Sequence, residues 1–181
     1  LPKAALEVFF EGLDHLAPKT RNHFRQTLRH FFKWCIRKDY LPQNHRLDEV
    51  LVNEKATDAA PGILTPSEFA HLLNISGPKL IPFVALAGFT GARRSEILRI
   101  QWKHVWRIAG QLELEANRTK TKQRRLVPIQ GALAAWLSPY AGTRGLVWKG
   151  KDTAQRNAYE RLKAQCNIRG ANLLRHSYAS Y

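Results

Sequence analysis

Hydrophobic residues recur at helical spacing through the first fifty residues of the chain. Residues 18–38 carry an apolar stripe with a spacing of three or four residues, formed by Phe24, Leu28, Phe31 and Cys35. This spacing predicts an amphipathic helix with one buried face. The other faces would present a cationic surface to water, built from Lys19, Arg21, Arg25, Arg29, Lys33, Arg37 and Lys38. Residues 2–13 predict a preceding helix, and Pro42 ends the pair because proline disfavours helix in the residue before it.

A stretch without periodicity separates this pair from a second group of helices. Residues 53–63 contain a Pro-Gly pair and predict a linker between two domains. The sequence Thr65-Pro66-Ser67-Glu68 then predicts a capped helix start, because Thr65 and Glu68 can form a capping box and Pro66 suits the first helical position. Residues 80–89 predict a buried helix, and residues 94–102 predict another helix after a turn at Gly91.

The hydrophobic period changes from helical to alternating in the middle of the chain. Residues 112–115 alternate as a half-buried strand does, and residues 126–129 are the predicted hairpin partner. Helical patterns resume at residues 131–137 and 153–166 and again from Asn172. The expected fold is therefore mainly α with a small antiparallel β-sheet (α+β). It comprises a helical domain over residues 1–52, a linker over 53–63 and a mostly helical domain over 64–181.

The charge of the chain indicates which class of molecule it binds. Lys and Arg number 29 against 14 Asp and Glu, which gives a net charge of +15. Such an excess is typical of proteins that bind nucleic acid, although a basic protein without that role remains an alternative. No apolar segment reaches the roughly 18 residues that cross a bilayer, so no membrane partner is expected. Cys35 and Cys166 lack the spacing of a zinc or disulfide framework and favour a reducing cytoplasm.

Three cations in ordered motifs suggest phosphodiester chemistry. Cations aimed at the phosphate oxygens stabilise a phosphoryl-transfer transition state, and the planar guanidinium of arginine binds two such oxygens at once. A lysine can protonate the leaving sugar oxygen. These roles can be taken by Arg93, Lys120 and Arg175, and the chemistry then needs neither a metal nor a cofactor. Singly, each has a simpler explanation: Arg93 can pair with Glu96 at the surface, and Lys120 can belong to a nonspecific phosphate-binding loop.

Together the motifs resemble the tyrosine recombinases, the phage-integrase family. The resemblance rests on Thr-Gly-Ala-Arg-Arg-Ser-Glu-Ile-Leu at residues 90–98 (the first arginine motif), on residues 119–129, and on Asn-Leu-Leu-Arg-His-Ser-Tyr-Ala-Ser at residues 172–180 (the second arginine motif). It implies a partial core-binding (SAM-like) domain followed by a catalytic domain that is incomplete at its C-terminus. In that family the two arginines hold the scissile phosphate, and a lysine on a β-hairpin protonates the leaving 5′ oxygen.

Carried over by motif, the resemblance assigns a role to each candidate residue. Arg93 and Arg175 would hold the phosphate, Lys120 would be the general acid with Lys122 as second candidate, and Glu96 would orient the arginines. Asn172 stands at the usual histidine position, and its simplest reading from the residues alone is the N-cap of the last helix. The expected DNA-binding residues are Arg21, Arg25, Arg29, Lys33, Arg118, Lys122, Arg124, Arg125 and His176.

The implied reaction is DNA integration or site-specific recombination through a 3′-phosphotyrosyl intermediate, performed by an integrase of a bacterial mobile element. The implied partner is double-stranded DNA in the bacterial cytoplasm, at the nucleoid. We expect a homotetramer on DNA for the full-length protein and a monomer for this chain.

The family's nucleophilic tyrosine has no counterpart in the expected place. It belongs well beyond the second arginine, whereas Tyr178 and Tyr181 lie on the helix of Arg175 itself. We therefore expect a C-terminally truncated recombinase that binds duplex DNA and does not cleave it. Two alternatives remain open: a noncatalytic DNA-binding protein or regulator on the same scaffold, and an RNA-binding basic protein.

Overall fold

Helices form most of the described residues and are divided between two units. The structure, a computed structural model, describes residues 3–45, 51–56, 62–114 and 125–181. The chain divides into one unit over residues 1–59 and another over residues 60–181. The predicted linker contains this division, and the domain boundaries and roles stay predictions. None of the described helices is long and apolar enough to cross a membrane.

The described residues of the first unit form two helices, α1 (Lys3–Glu11) and α2 (Pro18–Arg37). Its core is formed by Leu6, Phe10, Phe32 and Leu51. The predicted apolar stripe of α2 is confirmed at Cys35, which is buried, and at Leu28, which packs against this core. It is wrong at Phe24 and Phe31, which are exposed by 37% and 53%, whereas the neighbouring Arg25 and Phe32 are buried.

Glu54 explains why α2 turns an arginine inward. The Glu54 carboxylate accepts hydrogen bonds from the guanidinium groups of Arg25 and Arg21, and the Arg25 guanidinium also lies 4.4 Å from the centre of the Phe10 ring. A buried charge is tolerated when it is paired and hydrogen-bonded in this way. Glu54, in the first part of the predicted linker, therefore contacts α2 directly, and the Asn22 amide donates to the Glu54 carbonyl at 2.8 Å.

The second unit contains the remaining helices, and its first helix begins as predicted. The Glu68 amide donates to Thr65 Oγ1 at 3.2 Å and the Thr65 amide donates to the Glu68 carboxylate at 2.7 Å, which confirms the capping box. The helices are α3 (Pro66–Ile75), α4 (Ile81–Thr90), α5 (Arg94–Ile97), α6 (Trp102–Trp106), α7 (Gly131–Leu137), α8 (Asp152–Gln165) and α9 (Leu173–Ser180).

The single helix predicted over residues 94–102 is wrong, because the chain extends between α5 and α6 to pair with a distant segment. The Ile100 carbonyl accepts from the Val147 amide at 2.9 Å, and the Trp102 amide donates to the Gly145 carbonyl at 2.9 Å. Gln101 and Leu146 form the antiparallel bridge between them.

The predicted hairpin strands are confirmed as an antiparallel pair. Strand β1 (Gln111–Leu114) pairs with β2 (Arg125–Pro128), with Leu114 opposite Arg125. The burial of β1 does not alternate as predicted, because Glu113 is also buried and accepts from Arg107 at 3.4 Å. Residues 115–124, which join the strands, lie outside the described residues.

Helix α4 is the centre of the second unit. Its buried residues face all sides, as the continuous apolar run predicted. It contacts α3, α5, α7 and α9, so the segment that follows α4 and the helix α9 share one neighbour. This packing brings the two arginine motifs to the same side of the unit. The fold class is as predicted: mainly helical, with a two-stranded antiparallel sheet.

Candidate active site

The two arginine motifs meet at a cleft of about 560 Å³ in the second unit. Arg93 comes from the segment between α4 and α5, and Asn172 and Arg175 come from the start of α9. The structure therefore brings the candidates Arg93, Asn172 and Arg175 together at one cleft. The polar residues that line the cleft are Arg93, Arg94, Ser95, Arg156, Tyr159, Glu160, Lys163, Asn172 and Arg175.

A hydrogen bond joins the two motifs directly. Arg175 donates from Nη1 to the carbonyl oxygen of Gly91 at 2.8 Å, across 84 residues of sequence. Gly91 ends α4 in the left-handed conformation, with φ of 58°, and glycine adopts that conformation without steric cost. The bond uses one of the five N–H donors of a guanidinium and holds the Arg175 side chain beside the first motif.

Glu96, three residues after Arg93 in helix α5, orients the Arg93 side chain. Its carboxylate accepts from the Arg93 backbone amide at 2.7 Å and from the Arg93 guanidinium at 3.0 Å. Burial opposes the charged form of Glu96, but these two hydrogen bonds and the nearby charges of Arg93 and Arg125 outweigh it and lower the pKa of the carboxyl group. Glu96 is therefore a carboxylate at neutral pH, as an orienting partner requires.

Arg94, which follows Arg93 in the same motif, lines the cleft and also binds residues of α8. Its Nε donates to the Gln155 side-chain oxygen at 2.6 Å, and its Nη2 donates to the Asp152 carbonyl at 2.7 Å and to the Asp152 carboxylate. Burial and the charge of Arg156 lower the pKa of Arg94. The two adjacent arginines thus have different partners.

Asn172 occupies the N-cap position of α9 without capping it. Its backbone is left-handed, with φ of 54°, and its side chain makes no capping hydrogen bond. The exposed amide group lines the cleft beside Arg175. An amide can donate a hydrogen bond to a phosphate oxygen, but it is not a base at neutral pH.

Helix α8 adds residues that no sequence motif had indicated. Arg156, Tyr159 and Lys163 line the cleft. Burial, with a smaller effect of Glu160, raises the pKa of the Tyr159 phenol. A signal for Lys163 exists in the sequence, since it shares one helix face with Tyr159 and Cys166 at four- and three-residue spacing, and a lysine on such a face needs a partner.

Of the predicted DNA-binding residues in the second unit, some lie outside the described residues and others do not line the cleft. Arg118, Lys120, Lys122 and Arg124 lie outside the described residues. Arg125 begins β2 and is exposed, and its charge acts on Glu96. His176 is half-buried on α9 and does not line the cleft.

The predicted cationic surface of α2 is wrong at Arg25, which is buried. Arg21 is bound to Glu54 and Asp14, and Arg29 donates to the Leu51 carbonyl, whereas Lys33 is exposed. Contact of any of these residues with DNA stays a prediction. Within the described parts of the chain, no cluster of His, Cys, Asp and Glu is arranged to hold a metal ion.

Comparison with known proteins gives matches among solved structures. No protein-family model matches the sequence, and no curated protein matches it. A lambda integrase (residues 75–356) dimer bound to a COC′ core site superposes with a TM-score of 0.75 and 17% identity, over 99% of this chain and 72% of that chain. XerH site-specific recombinase bound to a palindromic difH substrate gives 0.74 and 18%, over 99% and 61%.

The chain has the integrase fold. The catalytic domain of bacteriophage HP1 integrase adds a match of 24% identity and TM-score 0.54, over 67% of this chain and 71% of that chain. The expected resemblance to the tyrosine recombinases is confirmed at the level of fold, since these structural neighbours are integrases and recombinases of that class. The chain spans 61% of the XerH chain.

Proposed function

We propose that the second unit holds one phosphodiester of duplex DNA between Arg93 and Arg175, as the phosphate-binding part of a site-specific recombination site. The observation that carries this proposal is the hydrogen bond from Arg175 to Gly91, because it holds Arg175 against the segment that leads to Arg93, and both residues line one cleft. The Arg93 side chain is 58% exposed, so the guanidinium donors that do not bind Glu96 are accessible to a ligand.

The chemistry of the cleft supports an anionic ligand. Two guanidinium groups offer bidentate hydrogen bonds to phosphate oxygens, and the Asn172 amide adds a neutral donor. The single negative charge of Glu96 neutralises at most one of the two positive charges of Arg93 and Arg175, so the arginine pair keeps a net positive charge. In this proposal Lys120, on the segment between β1 and β2, protonates the leaving 5′ oxygen, with Lys122 as the alternative donor.

The charge of the chain and its structural neighbours support DNA as the ligand. The net charge of +15 provides sequence-independent attraction to the phosphate backbone. The lambda integrase and XerH structures are bound to their DNA sites. By analogy we propose DNA integration or recombination in the bacterial cytoplasm, with a tetramer on DNA in the full-length protein, as in the lambda integrase tetramer bound to a Holliday junction.

We further propose that these 181 residues bind DNA without cleaving it. Tyr159 is the tyrosine among the described residues that line the cleft, and its raised pKa makes its phenol a poor nucleophile. Asn172 supplies no base. The same two observations favour a second candidate, a noncatalytic DNA-binding regulator on the recombinase scaffold. A suicide duplex substrate should give no covalent adduct with this chain, and an adduct would overturn the proposal.

Binding of a fluorescein-labelled duplex, followed by anisotropy at increasing KCl, tests the phosphate contacts. Replacing Arg93 or Arg175 by Gln should weaken binding and reduce the slope of log K against log salt by about 1 for each phosphate that the variant no longer binds. Arg144→Gln, at an exposed arginine outside the cleft, is the matched control. Equal effects of all three variants would show general electrostatics and no phosphate site. Preference for RNA over duplex DNA in competition would favour an RNA-binding protein.

A further inference from the structure

Helix α8 binds the first arginine motif at one end and the segment before the second motif at the other. Its first residues bind Arg94 of the first motif, and Lys163 near its end binds the segment that leads into the second motif. We propose that α8 links the two motifs and that Arg94 and Lys163 are positioning residues that set the separation of Arg93 and Arg175. This inference rests on the proposed function, since it concerns the phosphate site formed by that arginine pair.

At the first end, Arg94 makes a multidentate contact with α8. It bonds the Gln155 side-chain oxygen at 2.6 Å and the Asp152 carbonyl at 2.7 Å, and it pairs with the Asp152 carboxylate. Gln155 is fully buried, so this contact is anchored in the interior. Since Arg93 precedes Arg94 directly, the backbone of Arg93 is fixed relative to the start of α8.

At the other end, Lys163 joins α8 to the segment before α9. Its side chain is 9% exposed, its Nζ donates to the Gly170 carbonyl at 3.0 Å, and it pairs with Glu160 at 2.8 Å. Gly170 has φ of 124°, a backbone conformation that L-residues rarely adopt. Asn172 follows two residues later, so the Lys163 bond holds the turn that starts α9 and, through it, Arg175.

Removal of the Lys163 ammonium group should release this turn. The Gly170 carbonyl would lose its charged donor, and because Gly170 is exposed, water would replace that donor. The turn would then relax toward water, and α9 would lose one of the constraints that place Arg175. Arginine at position 163 keeps a charged donor that can reach the same carbonyl, so Lys163→Arg should retain the effect.

A double-mutant cycle on duplex binding separates positioning from general stability. We expect Lys163→Met to weaken binding on the order of tenfold and to lower the salt slope by about 1, as Arg175→Gln does. In the Arg175→Gln background, Lys163→Met should have little further effect, because the guanidinium that it positions is already absent. Lys163→Arg should bind as the unchanged chain does, and Arg161→Gln, an exposed cation on the same helix, controls for charge.

The possible outcomes separate the two proposals. If Arg175→Gln itself has no effect, the proposed phosphate site is wrong. If Arg175→Gln weakens binding but Lys163→Met does not, or if the two effects simply add, α8 does not position the arginine pair. If Lys163→Met does not fold, judged by its thermal transition, Arg94→Met tests the other end in the same cycle with Arg93→Gln. Additive effects there would overturn the inference.

Discussion

Replacement of Gly91 by alanine should lower the free energy of unfolding of the second unit by more than the cost of backbone strain at this position. Gly91 has φ of 58°, and a Cβ at this position would lie 2.3 Å from Cδ1 of Tyr178 on α9. Gly91 therefore meets two requirements at once: the left-handed turn after α4 and the close approach of α9. The same residue accepts the Arg175 hydrogen bond.

The expected magnitude combines two costs. An L-residue in the left-handed conformation costs about 1–2 kcal/mol relative to glycine. The clash with Tyr178 adds an overpacking cost of about 1–3 kcal/mol, and the lower end applies because Tyr178 is 44% exposed and its ring can turn toward water. Gly91→Ala should thus lower the free energy of unfolding by about 2–3 kcal/mol.

Urea denaturation followed by tryptophan fluorescence measures this change, since Trp102, Trp106, Trp136 and Trp148 report on the second unit. Gly142→Ala is the matched control, because Gly142 has φ of 84° and nothing lies within 4 Å of its added Cβ. It should cost about 1–2 kcal/mol. Tyr178→Ala should remove the excess. Equal costs of the two glycine variants, or a cost of Gly91→Ala that Tyr178→Ala leaves unchanged, would refute this explanation.

Three further predictions concern the two cores and pH. Leu86→Ala, at a fully buried position on α4, should destabilise the second unit by about 2–5 kcal/mol, measured by the same denaturation. Glu54→Gln should destabilise the first unit because buried Arg25 loses its charged partner, and Glu54→Asp should restore part of the thermal stability. The lowered pKa of Glu96 means that its contribution to stability is present above its ordinary value of 4.5 and is lost as pH falls below it. Glu96→Gln should flatten that part of the stability–pH profile, and an unchanged profile would contradict the assigned hydrogen bonds.

Local patterns predicted the elements whose stabilising contacts are also local. The capping box at Thr65 needs four consecutive residues, and the hairpin strands show their own alternation. The break between α5 and α6 could not be predicted in the same way. It depends on backbone hydrogen bonds of Ile100 and Trp102 with residues more than forty positions away, and no local propensity encodes that pairing.

The buried face of α2 shows a second limit of periodicity. The hydrophobic stripe through Phe24 and Phe31 predicted one face, whereas the structure buries the neighbouring face at Arg25 and Phe32. The Arg25 charge is satisfied by Glu54 and the Phe10 ring. Both partners are distant in sequence, so a pattern based on hydrophobicity alone places arginine outside.

The site was predictable to the extent that its motifs are contiguous. Two short segments predicted Arg93, Glu96 and Arg175 as site residues. In the structure Arg93 and Arg175 line one cleft, and Glu96 binds Arg93. The sequence could not predict that Arg93 and Arg94 have different partners, because only the fold shows that α8 lies against Arg94. Lys163 shares a helix face with apolar residues in the sequence, but only the fold shows that its partner is the Gly170 carbonyl.

The most direct test of the arginine pair is the NMR spectrum of its guanidinium groups. Arginine Nε–Hε signals of ¹⁵N-labelled protein would be assigned by the Arg93→Gln and Arg175→Gln variants and followed as a short duplex DNA is added. We predict that the Arg93 and Arg175 signals shift together and saturate, whereas Arg94, whose Nε is bound to Gln155, shifts little. Unchanged signals of Arg93 and Arg175 on a protein that is saturated with duplex would contradict the proposed phosphate site.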